Sequence, residues 1–370
     1  MMKLDSLEYI IVLFDHSAPS FCYYEPPVTG TCETRQLSLP DFQKVVLFAR
    51  DNGYKLTILP GKENLPEPYC ELLAQAEYSV IKPLSKENSA TDTIFTLDYQ
   101  GDEGVFEALK PGGGINLILR MNSCYLADIP AIISKWSSRF TRLNIFISDL
   151  DTLPSGKLDE YNNILLATEE LVYEHFLRGA GVELNFLTDR LLLDEMNNCN
   201  AGIRHITVAP NGKFYLCPAF YYENESEDIG SPETGIEIRN QHLLHQDNAP
   251  ICNICDAFHC KRCVWLNRKK TLELNTPSKV QCTVAHLERN MSKKLSDRLR
   301  KNPLFRDFQP ISAISYLDPF ELISVNPELK RGWQRDEAGS DLSLEHLSER
   351  ELLIKIYNIQ LDILKQLKKG

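Results

Sequence analysis

No stretch of the 370-residue sequence is both apolar and long enough to cross a bilayer, so a spanning helix is not expected. The N-terminal segment lacks a basic n-region and a small-residue cleavage site. Asp5 and Glu8 flank a short apolar run instead, and no signal peptide is expected. Positive charge is in deficit: 40 Lys and Arg against 51 Asp and Glu leave a net charge of −11, which argues against a general nucleic-acid binder. The expectation is a cytoplasmic protein without membrane or nucleic-acid partners. Against these absences stand 11 Cys. An odd number of thiols without an export signal makes a poor disulfide framework and a better set of metal ligands.

Neither thiols nor charge are spread evenly. Cys22, Cys32, Cys70 and Cys124 are scattered, whereas Cys199, Cys217, Cys252, Cys255, Cys260, Cys263 and Cys282 fall within 84 residues. The segment Lys261–Arg306 carries +10, which leaves −21 for the rest of the chain. A basic block beside the thiols implies an acidic partner there, either a peptide or the body of the same chain.

Before Cys199, short runs rich in Ile, Val, Leu and Phe recur at Tyr9–Phe14, Lys55–Leu59, Tyr78–Ile81, Ile94–Leu97, Ile115–Leu119, Leu143–Ile147 and Val182–Phe186. Runs of this kind are strands buried on both faces. Helical patterns separate most of them: Leu39–Arg50, with Pro40 at its start and Gly53 past its end, then Ile129–Phe140 and Lys157–Arg178. The alternation predicts parallel βαβ units, in either a doubly wound sheet or an open (β/α) barrel. One long connection, Phe14 to Leu39, breaks the rhythm and holds His16, Cys22, Tyr23, Tyr24, Glu25 and Cys32. Long loops at strand C-termini are where α/β proteins build sites. A second βα loop, Pro60–Leu65, offers Gly61 for a tight turn and Glu63 as an acceptor for an ammonium group.

Asn211-Gly212 between two apolar runs is a strong hairpin signal, and the returning strand carries Cys217 back toward Cys199. The knuckles Cys252-x2-Cys255 and Cys260-x2-Cys263 then supply four thiolates in 12 residues, followed by Cys282. One zinc needs four ligands and would leave Cys199, Cys217 and Cys282 unexplained. Seven thiolates divide more naturally as four and three, which suits iron–sulfur clusters. His259 and His286 lie close enough in sequence to substitute for a sulfur.

The pattern Cys199-x12-Gly212-x4-Cys217, the knuckles and Cys282 resembles the SPASM domain, the auxiliary-cluster domain of radical S-adenosylmethionine (radical SAM) enzymes that modify peptides and proteins. The resemblance implies two four-iron clusters. Cys199, Cys217 and Cys263 would hold the first, with one iron open or bound by a non-cysteine ligand. Cys252, Cys255, Cys260 and Cys282 would hold the second. The tract Cys252–Asn267, with Asn275-Thr-Pro-Ser and Gln281-Cys-Thr-Val-Ala-His, is similar to the CXXX repeat peptide maturases. That similarity implies a ribosomally synthesised cysteine-repeat precursor peptide as partner.

A radical SAM core carries C-x3-C-x2-C after its first strand, and this chain has no such motif. Aligned on Phe21-Cys22, the first two cysteine positions are Asp15 and Pro19. Gly61-Lys62-Glu63-Asn64 stands where the family has Gly-Gly-Glu-Pro, so Glu63 resembles a remnant of the S-adenosylmethionine motif. The resemblance therefore implies an incomplete (β/α)6 barrel over residues 1–190, a SPASM domain over 191–290 and a helical extension over 291–370. S-adenosylmethionine is not expected as a cofactor. The function expected is a cluster-binding component of peptide maturation, engaging the precursor and relaying electrons beside a separate radical SAM enzyme. Two alternatives remain open: an active maturase using an auxiliary cluster, and a zinc-stabilised peptide-binding module.

Beyond Cys282, Ser292–Lys301 reads as a basic helix, Gln309–Leu322 as an apolar return, Lys330–Ser340 as a linker and Leu342–Leu367 as an amphipathic helix.

Overall fold

The computed structural model describes residues 6–26, 35–61, 64–84, 93–107, 109, 114–305, 308 and 310–314. The linker Lys330–Ser340, the amphipathic stretch Leu342–Leu367 and most of Gln309–Leu322 lie outside them. Two compact units divide the chain, 1–313 and 314–370. The architecture below is that of the first.

Strands and helices alternate in chain order: β1 Tyr9–Leu13, α1 Leu39–Asn52, β2 Lys55–Leu59, α2 Glu67–Leu73, β3 Tyr78–Pro83, β4 Thr93–Tyr99, β5 Ile115–Met121, α3 Ile129–Trp136, β6 Phe140–Ile147, α4 Ser155–Leu177 and β7 Glu183–Leu184. The cysteine-rich tract adds α5 Asp189–Leu192, β8 His205–Val208, β9 Phe214–Tyr215, α6 Pro218–Glu223, β10 Gly230–Ser231, β11 Gly235–Ile236, α7 Val264–Thr271 and α8 Lys279–Leu299. The cues for α1 act as the sequence suggests. Ser38 accepts from the Asp41 N–H, Pro40 fills the first turn, and Gly53 closes the helix at φ +75°.

Nine strands form one sheet in the order β7-β6-β5-β4-β3-β2-β1-β8-β9, and only β9 is antiparallel to its neighbour. From β1 to β7 every strand pairs with its predecessor. A doubly wound sheet reverses its order at a switch point, whereas this one steps in one direction, as a partial barrel does. The fold is thus mixed α/β on a parallel sheet. Two details differ from the sequence patterning. The Val182–Phe186 run is a strand only at Glu183–Leu184, and the hairpin strand β8 joins the same sheet beside β1.

Alternation along the strands separates two packing faces. Ile10 and Val12 of β1 pack with Leu56, Ile58 and the α1 residues Phe42, Val45 and Val46. Ile11 and Leu13 face the other way, against Leu59, Ile81, Ala209 and Tyr215. On β5, Leu117, Leu119 and Met121 join the helix-side core with Ile132, Ile133 and Leu165. Arg120 has the opposite parity, so a buried guanidinium points to the inner face.

The basic helix is longer than its sequence signal. It starts at a capping box in which Ser278 and Gln281 satisfy each other's backbone donors. Its positive residues meet this chain's own acids: Arg298 and Lys294 hold the buried Glu169 carboxylate of α4, at 2.8 Å each.

Candidate metal centre

Three of the clustered thiols converge around the β8–β9 hairpin. The turn at Asn211-Gly212 uses φ +78° at Gly212, and Ala209 N–H donates to the Lys213 carbonyl at 3.0 Å. The chain then returns to Cys217, which caps α6, while Cys263 caps α7. The Cys199 N–H donates to the Lys261 carbonyl at 2.8 Å, laying the hairpin's entry against the knuckles. Each sulfur faces backbone donors: Cys199 that of Ala201, Cys217 those of Ala219 and Phe220, and Cys263 those of Trp265 and Leu266. Amides at helix starts favour a thiolate.

Burial acts against that preference. It pushes the Cys199 thiol up to about 12, with the neighbouring Cys263 adding to the rise. Burial also lifts Cys217 well above the usual thiol range, together with Cys263 and Cys199. Cys263 is also raised well above the usual thiol range, first by the Cys22 thiol and then by burial. Beside this group the His205 ring stacks on Tyr9, and its Nε2 lies 3.0 Å from the Cys199 carbonyl oxygen and 3.6 Å from its sulfur. Burial lowers His205 to about 4, which keeps it neutral.

A second group gathers Cys252, Cys255 and Cys260. Burial raises Cys252 to about 11, with Arg262 opposing the shift and Cys255 adding to it. Cys260 goes to about 12 through burial, against a backbone donor at Arg262, with Cys252 and Cys255 adding. Cys255 accepts from the Ala257 N–H at 3.4 Å and faces His286 Nε2 at 3.6 Å. Cys282 stands one helical turn before His286 on α8. The buried Arg262, at φ +39°, lies between the two groups and senses Cys252, Cys260 and Cys199. Its Nη2 donates to the Leu244 carbonyl, whereas Nε and Nη1 have no hydrogen-bond partner among the described residues. A buried cation with spare donors among thiols matches a centre that carries net negative charge when formed.

Among the described residues no three His, Cys, Asp or Glu side chains are placed to hold a single metal ion.

A cavity of about 50 Å³ lies where the groups approach, lined by Cys260, Cys263, Arg262, Tyr23, His259 and Glu288 among others. There Tyr161 donates to Glu288 Oε1 at 2.7 Å, and His259 Nε2 lies 3.1 Å from Glu288 Oε2. His259 is therefore engaged by a carboxylate.

The loop after β1 leaves and re-enters the sheet edge at one place: Leu37 N–H donates to the Phe14 carbonyl, and Asp15 pairs with Gln36. Asp15 is buried and accepts from the Ser17 N–H and hydroxyl at 2.6 Å each. Its carboxylate packs on Gly61, where an added Cβ would overlap it. Gly61→Ala is therefore expected to cost about 1–3 kcal/mol, read as a shift in the urea midpoint. Asp15→Ala in the same chain is expected to recover most of that loss; purely additive effects would refute the contact. Further along, Arg120 donates from Nε to the Cys22 carbonyl at 2.8 Å and from Nη2 to the Tyr24 carbonyl at 3.2 Å. It also pairs with Glu25 and with Asp98, the latter at 2.6 Å.

Glu63 and Cys32 lie outside the described residues, and Cys70 and Cys124 are exposed. Sequence reasoning passed over Arg120 and Arg262. The first had a legible signal, a lone charge inside the otherwise apolar run Leu117–Met121; the second did not, because a basic residue beside cysteines looks like ordinary surface.

No protein family matches the sequence, and no curated protein does. Solved structures do resemble the fold. The structure of anSMEcpe, an anaerobic sulfatase-maturating radical SAM enzyme, with bound AdoMet matches at TM-score 0.53 and 13% identity, over 80% of this chain and 96% of that one. The same protein with bound AdoMet and Cp18Cys peptide matches at 0.51 and 15%, over 80% and 100%. Streptococcus suis SuiB bound to precursor peptide SuiA aligns more loosely, at 0.37 and 12%, over 74% and 76%. At such identities the likeness concerns architecture alone: the chain shares the mixed α/β, parallel-sheet fold of anSMEcpe.

Proposed function

We propose that this chain is an iron–sulfur component of ribosomal peptide maturation that lacks a radical site of its own. In this reading it engages a cysteine-repeat precursor of the CXXX type in the cytoplasm, beside a separate radical SAM enzyme. The observation that carries the proposal is the arrangement of the thiols. Cys199, Cys217 and Cys263 influence one another electrostatically, and Cys252, Cys255 and Cys260 form a second such set, with the helix of Cys282 alongside. Four-iron clusters held there would supply one-electron transfer.

The protein's own contribution is to bury the sulfurs, aim backbone amides at them and set Arg262 between the groups. Together these favour an anionic centre over free thiolates. The barrel's first loop supports the missing-radical-site part of the proposal. Asp15 and Pro19 stand at two of the three motif positions, and the Asp15 carboxylate is already committed to Ser17. Peptide engagement draws support from the fold, since the similar anSMEcpe has been seen with a peptide. The division into a barrel to residue 190, a cluster domain to 290 and a helical extension belongs to the same proposal.

Anaerobic reconstitution followed by iron and sulfide analysis tests it. About eight irons per chain are expected for two four-iron clusters; zinc without iron would reject the cluster reading. With S-adenosylmethionine and dithionite, no 5′-deoxyadenosine is expected above a no-protein control. Its catalytic formation would show that the chain makes the radical itself.

A further inference from the structure

One nitrogen of His205 faces both the backbone and the sulfur of Cys199. We infer that His205 donates a hydrogen bond to the Cys199 thiolate and is a positioning residue that raises the reduction potential of the centre to which Cys199 belongs. The inference rests on the iron–sulfur reading above and goes beyond it, since it gives a role to a side chain that ligates nothing.

The place of the proton follows from the neighbours. Burial keeps the ring neutral, so it carries a single N–H. Nε2 lies 3.0 Å from the Cys199 carbonyl oxygen, which can only accept, so the proton sits on Nε2. The Cys199 sulfur stands 3.6 Å from the same nitrogen, within reach of an N–H shared between oxygen and sulfur. Nδ1 keeps the lone pair, is buried and has no hydrogen-bond partner among the described residues. The ring thus leaves an acceptor unsatisfied while its donor faces Cys199, an arrangement that packing alone does not explain.

Stacking and backbone contacts hold this pose. His205 opens β8 opposite Tyr9 of β1, and the two rings stack at 5.1 Å with 21° between their planes. The chain between Cys199 and His205 folds back on itself, with the Gly202 N–H donating to the His205 carbonyl at 2.7 Å. Cys199 is fixed on its other side by its own N–H, which donates to the Lys261 carbonyl at 2.8 Å. A sulfur held between these points meets the imidazole N–H without rearrangement.

Reduction adds one electron to a four-iron cluster, and part of the added negative charge falls on the ligand sulfurs. A donor aimed at such a sulfur stabilises the reduced form, whereas burial works against it. Because Nε2 carries the proton, it has no lone pair to offer an iron, and Nδ1 lies on the far side of the ring.

The test uses the full chain, reconstituted anaerobically and titrated with dithionite while EPR follows each centre. The spectroscopic component lost in Cys199→Ser identifies the centre concerned. His205→Leu, which is close in volume, is expected to keep its iron and to shift that component to a more negative potential, with the other component unmoved. His205→Gln, which can return an N–H to the same place, is expected to recover most of the shift. In the wild-type protein carrying isotope-labelled histidine, pulsed EPR of that component is expected to show a weak nitrogen coupling, passed through the hydrogen bond and lost in His205→Gln. The coupling measurement decides alone where His205→Leu does not take up iron. A strong coupling from a directly bonded nitrogen, no nitrogen coupling in the wild type, or an unchanged potential in His205→Leu would overturn the inference and leave the cluster reading intact. A wild-type protein that binds no iron would overturn both.

Discussion

Cys263→Ser is expected to cut the iron content of the reconstituted protein from about eight to about four per chain, with loss of one of two spectroscopic components. Cys263 is the hub of the first group. It raises the thiols of Cys199 and Cys217 and receives the first amides of α7. Removing it strips the group of its central sulfur, and serine offers a poorer ligand in the same volume. The second group should survive, because Cys252, Cys255 and Cys260 interact with one another and lie beside the helix of Cys282. Cys199→Ser should give the same half-loss, and Cys70→Ser, at an exposed site, none. Loss of all iron from Cys263→Ser in a folded protein would mean that the two groups are one centre. Unchanged iron would remove Cys263 from the ligand set.

Arg120→Met is expected to destabilise the protein by about 2–4 kcal/mol. The ion pairs contribute little to that figure, since the Glu25 and Asp98 side chains are 68% and 60% exposed. The larger effect comes from the carbonyls of Cys22 and Tyr24, which Arg120 satisfies inside the barrel. Without the guanidinium they lose their partner where water has limited access, and the loop bearing Cys22 is no longer pinned to β5. The shift in the urea midpoint reads the effect. Asp98→Asn keeps the carbonyl bonds and should shift it by much less. Equal effects from the two substitutions would show that the ion pair, and not the clamp, holds the loop.

Local chemistry in the chain was enough for much of the scaffold. Pro40 and Gly53 bound α1 because one fits a helix's first turn and the other adopts the left-handed cap. Asn211-Gly212 makes the hairpin because a tight two-strand turn needs positive φ. Apolar runs separated by helices announced parallel strands, since burial on both faces leaves no alternation to read. Periodicity failed where tertiary packing decides. It could not order the strands, and it could not say that β8 pairs with β1 almost two hundred residues away.

The thiols show the same division. Density and spacing in the sequence mark seven cysteines as a ligand set, because paired knuckles have few other uses. Which sulfurs meet is a matter of long-range packing. Cys260 and Cys263 have only two residues between them, yet they turn to different groups because Cys263 caps α7 and Cys260 faces the turn of Cys252 and Cys255. Cys22 looked like the remnant of a lost motif. Only the folded loop shows how its backbone is held, because the Arg120 clamp on β5 joins groups 98 residues apart in the chain, and no local pattern carries such a contact.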